Sequence, residues 1–331
     1  MDGSLLVDKY LKKGYKVVGV DTWEPTSSYP NLSGAMLDKN FVFETGDVCE
    51  RYWIESLLDK HNPDIIYHMA AVSLVPESFK NPHKVFEINT LATLNFLEIL
   101  RYKHPTTKFY FAATSEMIGS NAELPQNNDS KMLPSSPYGI SKLASYHLVR
   151  MYRIAYGLFA VNGLLFNHEG PRRGPKFVTR KITKLVSKYG TREFEPLHMG
   201  NLDAMRDWGS AHDYTDAMIM MMEVPEPDDY TVATGETHTV REFIEEAFSH
   251  VHTSIRWEGT GEDEKGYDDK GEVVVDINKE LYRPYEVPYL HGDYSKINRI
   301  LGWKPTTTFK GLVSDMMDND LKEFYYNYEA Q

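Results

Sequence analysis

Tyr138 and Lys142 stand four residues apart in the stretch SPYGISK, a spacing that puts a phenol and an ammonium on one helical face. A neighbouring cation favours phenolate, so the pair predicts a tyrosine that takes a proton near neutral pH. A Tyr-x-x-x-Lys is short and recurs by chance. Its position gives it weight, because it follows the stretch FAATSE by one loop. That stretch reads as a strand ending on Thr114, Ser115 and Glu116. Serine and threonine there could simply cap the following turn. A carboxylate has no such duty, and Glu116 gives the tyrosine a second acid/base group.

The elements that must position these groups alternate along the first half of the chain. Strand patterns fall at 16–21, 41–44, 64–69, 107–113 and 159–166, with helical patterns near 50–61, 84–103 and 137–157. Apolar strands alternating with amphipathic helices predict an α/β fold, a doubly wound parallel sheet covered on both faces. Beyond about residue 167 the pattern loosens into a smaller α/β lobe with excursions back to the sheet. The expected division is therefore 1–166 for a dinucleotide-binding domain and 167–331 mainly for substrate. The methionines at 218–222 sit at helical spacing and read as core filling.

The opening MDGSLLVDKYLKKGYKVVGVD reads as helix, turn, strand and a strand-terminal acid, the second half of a dinucleotide-binding βαβ unit. The strand and two glycines that would precede Asp2 and Gly3 do not occur in it. The expectation is a chain cut inside its own motif, with Met1 not the true start. Asp21 lies at the distance from Gly3 where an acid accepts hydrogen bonds from the ribose hydroxyls of NAD and repels the 2′-phosphate of NADP. A turn-forming aspartate before Thr22 is the plain alternative. Asp47 in TGDVCE also follows a strand, and HMAAVS closes the next one on small residues that let a cofactor approach the backbone.

Bulk properties narrow the class. A chain of 331 residues, 41% hydrophobic, can bury a full core. Its net charge of −12 argues against nucleic acid or an anionic membrane as a general partner. Cys49 is the single cysteine, which fits a reducing cytoplasm and reads as a small apolar residue. No stretch reaches membrane-spanning length, no signal peptide precedes the first helix, and no metal ion is invoked.

Six longer stretches carry a family resemblance: TSEMIG, SPYGISK, NGLLFNHEGPRRGPKFVTRKIT, MGNLDAMRDWGSAHDY, YRPYEV and LGWKP. With them the chain resembles the extended short-chain dehydrogenase/reductases, and within these the GDP-mannose 4,6-dehydratase family, over nearly its whole length. The resemblance implies a Rossmann-type sheet, a bound NAD(P), a GDP-sugar substrate and a homodimer or homotetramer. It implies a catalytic set of Thr114, Glu116, Tyr138 and Lys142. Cofactor contacts would come from Asp2, Gly3, Asp21, Asp47, Val48, Met69, Ala70, Ala71, Ser73, Lys84, Tyr138, Lys142, His168 and Arg173. Substrate contacts would come from Ser73, Asn167, Val178, Lys181, Gly200, Asn201, Arg206, Arg283 and Glu286. Among these, Lys181, Arg206 and Arg283 are candidates for the diphosphate, where a guanidinium fork suits phosphate oxygens. A salt bridge to Asp203 or Asp207 is the alternative for Arg206.

The sequence also departs from that family. Asp21-Thr22-Trp23 replaces the Arg-Arg-Ser type run of NADP-using members, which implies NAD and weakens the case for a tetramer. In AAVSLVPESFKNPHKV, Leu74 replaces a histidine and Lys84 a cofactor-contacting tyrosine. Readings left open are a dehydratase of a related GDP-sugar, an epimerase or reductase, and a non-catalytic homologue.

Overall fold

The computed structural model describes residues 1–22, 30–119, 123–281 and 287–329. Helix α1, Asp2–Lys12, begins on an acid and ends with Lys9 and Lys12 in its last turn, the charge order a helix dipole favours. Gly3 lies within its first turn. Gly14, at φ +84°, ends the helix and admits strand β1, Val17–Asp21. β1 runs parallel to β2, Phe41–Thr45, with Asp21 opposite Thr45. Helix α2, Arg51–His61, leads to β3, Ile65–His68.

The stretch expected as one helix over 84–103 is interrupted. A turn Pro82–Phe86 passes through a π-helical turn, Glu87–Leu91, before α3, Ala92–Lys103. Asn89 in that turn is fully buried and bonded to other elements, which holds the wider turn in place. Strand β4, Lys108–Thr114, helix α4, Pro137–Tyr156, and strand β5, Ala160–Leu165, complete the first half.

Further helices follow as α5, Val178–Val186, and α6, Ala211–Met222. Strand β6, Asp229–Val232, then returns to the sheet beside β5. The sheet order is β6-β5-β4-β3, all parallel, with β1–β2 a separate parallel pair among the described residues. Strand periodicity explains how it is covered. Phe109, Phe111 and Ala113 of β4 face one way, onto Phe96, Leu97 and Leu100 of α3 and Tyr146 and Val149 of α4. Tyr110 faces the other way, into a cluster with Leu6 of α1 and Tyr214, Met218, Met221 and Met222 of α6. The methionines are core filling, as their spacing predicted.

Beyond β6, helices α7, Val240–His250, and α8, Phe309–Glu329, pack with α5 around a second core that includes Ile182, Phe243, Phe248 and Met316. A four-stranded mixed sheet of Leu197–Met199, Arg256–Glu258, Lys265–Tyr267 and Val273–Ile277 belongs to this part. Thr239 and Glu242 form a reciprocal capping box that starts α7.

Candidate active site

Tyr138 is set by the start of α4. The Ser136 hydroxyl oxygen accepts the Gly139 N–H at 3.0 Å, and Pro137 occupies the first turn. Gly139 is required for a different reason: a Cβ there would come within 2.7 Å of the Glu116 carbonyl oxygen. Its absence lets the first turn of α4 lie directly against the turn that follows β4. That turn, Ser115–Met117, carries Glu116, and the Thr114 hydroxyl accepts the Glu116 N–H at 3.3 Å. Threonine thus does cap its turn, and it also hydrogen-bonds Tyr138. Glu116 is half-buried.

Lys142 lies one turn along α4 at 2% exposure. Its Nζ donates to the Ala112 carbonyl at 2.8 Å and sits 4.6 Å from the Phe111 ring centroid. Burial takes this ammonium down to about 7. Burial likewise pushes the Tyr138 phenol up to about 12, against the opposing hydrogen bond to Thr114. The Glu116 carboxylate raises the phenol further and the Arg173 guanidinium lowers it, so both charges act on Tyr138. Lys142 is not among the groups whose charge acts on Tyr138. The ammonium is turned to a backbone carbonyl, and desolvation disfavours charge on both groups.

Asn89 was missed by motif reading. Its Oδ1 accepts the Val72 N–H at 2.9 Å and its Nδ2 donates to Ser141 Oγ at 3.0 Å. Ser145 donates to the Asn89 carbonyl at 2.7 Å. One side chain therefore ties the loop after β3 to the helix that carries Tyr138 and Lys142. The available signal was a polar Asn-Thr pair breaking the apolar period of 84–103.

His168 and Asp2 are brought together from opposite ends of the motif list. His168 Nε2 donates to Asp2 Oδ2 at 2.9 Å, its Nδ1 to the Phe166 carbonyl at 2.8 Å, and its ring stacks on Tyr214 at 4.7 Å. Burial opposes charge on both groups, yet each partner holds the other ionised: His168 is raised and Asp2 lowered. Arg172 reaches α1 through Asp8 at 2.5 Å and Ser4 at 3.1 Å. Arg173 pairs with buried Glu169 at 2.9 Å and lies 3.5 Å from the Phe177 ring centroid. Asp2 Oδ1 and Asn167 Oδ1 are buried without a hydrogen-bond donor. Such acceptors suit a ligand rich in hydroxyl groups.

The remaining cofactor candidates, apart from Lys84 in the helical turn Pro82–Phe86, lie at or just after carboxyl ends of strands. Asp21 is exposed and accepts the Thr22 N–H at 2.7 Å. Asp47 accepts the Cys49 N–H at 2.9 Å, which holds its carboxyl below the usual range. Burial and Asp47 together push the Cys49 thiol to about 12, an inert thiol. Lys84 pairs with Glu87 at 3.0 Å and its charge also reaches Asp47. Val48, Met69, Ala70 and Ala71 are half-buried and Ser73 is exposed. This line of acid, small residues and open strand ends fits a dinucleotide laid across the sheet.

The substrate candidates fall mostly on the second part of the chain. Lys181 donates to the His198 carbonyl at 2.6 Å, and burial lowers its ammonium. Arg206 is 6% exposed and donates to the Met205 carbonyl at 2.9 Å. Its sequence neighbours have other partners: Asp203 pairs with Arg241, and Asp207 accepts from Thr234, Gly235 and Gly292. Val178 opens α5, a Cβ on Gly200 would meet the Leu281 carbonyl at 2.9 Å, and Asn201 accepts the Asp203 N–H at 2.9 Å. Arg283 and Glu286 lie outside the described residues.

Known proteins resemble this chain in sequence and in fold. A sequence profile of the GDP-mannose 4,6 dehydratase family matches residues 1–316. The chain is 42% identical over 330 residues to a GDP-mannose 4,6 dehydratase of Drosophila melanogaster, covering 97% of this chain and 84% of that one. To the Homo sapiens protein of the same name it is 40% identical over 339 residues, covering 99% and 91%. Among solved structures, a dTDP-glucose 4,6-dehydratase from Streptomyces venezuelae with NAD bound superposes at a TM-score of 0.82. It is 21% identical, with 98% of this chain and 95% of that one covered, a likeness of fold.

Proposed function

This chain belongs to the GDP-mannose 4,6-dehydratase family, and from that premise we propose that it converts GDP-mannose into GDP-4-keto-6-deoxymannose. It is a lyase that removes one water with no net oxidation. We assign the cofactor to residues 1–166 and the GDP-sugar mainly to 167–331. Bound NAD(P) supplies the acceptor for the C4 hydride and its later donor to C6. Asp2, Gly3, Asp21, Asp47, the strand end Met69–Ser73, His168 and Arg173 would hold it, and the exposed acid at Asp21 favours NAD.

The chain's own residues handle the protons. Tyr138 takes the proton of the C4 hydroxyl, with Thr114 bonded to the same oxygen region and Lys142 beneath it. The new C4 ketone acidifies C5–H. Glu116 removes that proton and returns it to the C6 hydroxyl, which leaves as water and opens a C5=C6 double bond. C5 then regains a proton, balanced by the one Tyr138 took from the C4 hydroxyl, and bound NAD(P) would return its hydride to C6, giving the 4-keto-6-deoxy sugar. Such positioned acid–base help contributes about 10²–10⁴-fold. The observation that carries the reading is the turn bearing Glu116 packed directly against the first turn of α4, which bears Tyr138. An oxidation–reduction site needs only the phenol, and water loss needs the second group.

We place the reaction in the cytoplasm, which a single free cysteine supports. A homodimer is supported by the face of α4, where Ile140, Met151 and Ile154 are 45%, 40% and 71% exposed on one helical stripe. The functional test is mass spectrometry of GDP-mannose incubated with the full chain and NAD(P), with absorbance at the reduced-nicotinamide band followed in parallel. A sugar nucleotide one water lighter, with no lasting reduced cofactor, is expected. A product of unchanged mass would mean epimerisation instead.

A further inference from the structure

Asp207 is fully buried, and the chemistry above gives it no part. Its Oδ1 accepts the Thr234 N–H and hydroxyl, each at 2.8 Å. Its Oδ2 accepts the Gly235 N–H at 3.0 Å and the Gly292 N–H at 3.2 Å. Four donors satisfy a buried carboxylate, and satisfaction alone implies no function. What distinguishes Asp207 is the set of segments it joins. Thr234 and Gly235 follow the carboxyl end of β6. At Gly292 a Cβ would come within 2.2 Å of the Ala233 Cβ and 2.9 Å of the Phe166 ring, so this backbone lies directly against the sheet. Gln126, also buried, brackets the glycine: its N–H donates to the His291 carbonyl at 2.7 Å, and its carbonyl accepts the Asp293 N–H at 2.8 Å. Gln126 belongs to the loop between the Glu116 turn and α4.

We propose that Asp207 is a positioning residue for the nucleotide end of the substrate, anchoring the main chain at Arg206 to the rim of the parallel sheet. Arg206 is its neighbour in the chain, so the anchor acts through one peptide unit. On the other side of Arg206, the Met205 N–H donates to the Pro288 carbonyl at 3.0 Å and the Met205 carbonyl accepts the Leu290 N–H at 3.2 Å. Met205 and Arg206 also pair antiparallel with Thr239 and His238. The backbone that carries Arg206 is therefore held from both sides, and the segment 287–293 is held with it. That segment follows Arg283 and Glu286 directly in sequence. The anchor needs a carboxylate. Both oxygens accept from backbone N–H groups, so an amide would turn its own NH₂ against a donor whichever way it is placed.

The inference rests on the proposed GDP-sugar substrate with Arg206 at its diphosphate, and the test separates the two. Wild type, Asp207→Asn, Thr234→Val and Thr234→Ser are compared by calorimetry with GDP alone, by titration with NAD, by rates with GDP-mannose and by melting temperature. Asp207→Asn is expected to raise the GDP Kd and the GDP-mannose KM together by about tenfold or more, with kcat changed less than KM and NAD affinity unchanged. Thr234→Val removes one donor and keeps its N–H, so it should move GDP Kd and KM the same way by less. Thr234→Ser should restore both. GDP affinity and KM equal to wild type, with only the melting temperature lowered, overturn the proposal and leave a structural carboxylate. Equal losses of GDP and NAD affinity overturn it too, as general loosening. Should Asp207→Asn not fold, the Thr234 pair decides by the same criteria. Failure of the functional reading would appear in the wild type itself, as no GDP binding and no dehydrated product.

Discussion

At the scale of single residues, the site holds two buried groups whose charges are disfavoured where they stand. Tyr138→Phe should abolish turnover while GDP-mannose affinity, read by calorimetry, stays within about tenfold, because the phenol acts on the transition state. Loss of binding and fold together would identify a structural tyrosine instead. Lys142 offers a stability test. Its native value of about 7 lies below the ordinary 10.5, so between those pH values the unfolded chain binds the extra proton. Stability contributed by this group therefore rises with pH from about 7 to 10.5 and is lowest below that window. Lys142→Met, unfolded in denaturant with no nucleotide added, should lose that upward slope relative to wild type. An unchanged slope would mean that the ammonium stays charged in its pocket. The placement of Glu116 after a strand, and of Tyr138 and Lys142 on one face at the start of a helix, was legible from residue type and spacing. The perturbed charges were not, because spacing does not reveal which carbonyl an ammonium turns to.

At the scale of elements, strands β1 to β5 and helices α2 and α4 fall within a residue or two of the periodic patterns that announced them. The long helix at 84–103 does not, since its π turn answers to Asn89 bridging Val72 and Ser141, a contact between distant segments. Asn89→Ala should slow turnover by more than it weakens nucleotide binding, because it loosens both the loop after β3 and α4. Equal losses in both would contradict that role. The start of α4 gives a second test. Ser136→Ala removes the cap on Gly139 and should cost about 1 kcal/mol of stability, read as a lower melting temperature. Gly139→Ala places a methyl against the Glu116 carbonyl and should harm activity more than stability, through the relation of Tyr138 to Glu116. The His168–Asp2 pair was also hidden. Both residues belonged to the motifs, but a pairing across 166 positions is decided by tertiary packing.

At the scale of the whole molecule, the proposed reaction draws on the parts of the chain built around both cores. In the proposed function the parallel sheet presents its strand ends to the cofactor, and the second part would contribute Lys181 and Arg206. The strand-end acid Asp21 makes cofactor choice a property of the sheet's rim. An uncompensated 2′-phosphate about 4 Å from that carboxylate costs on the order of 1–4 kcal/mol, so titration should find NAD bound more tightly than NADP. Asp21→Ala should relax the preference, and equal affinities in the wild type would contradict it. The central claim is that oxidation at C4 and water loss at C5–C6 belong to one site through Tyr138 and Glu116. The most direct measurement incubates wild type and Glu116→Gln with GDP-mannose and NAD(P) and follows the sugar nucleotide by mass spectrometry. The expected result is a product one water lighter from the wild type, its rate cut about a hundredfold or more in Glu116→Gln with GDP-mannose still bound. Dehydration by Glu116→Gln at the wild-type rate would contradict the assignment of Glu116 as the group that removes the C5 proton.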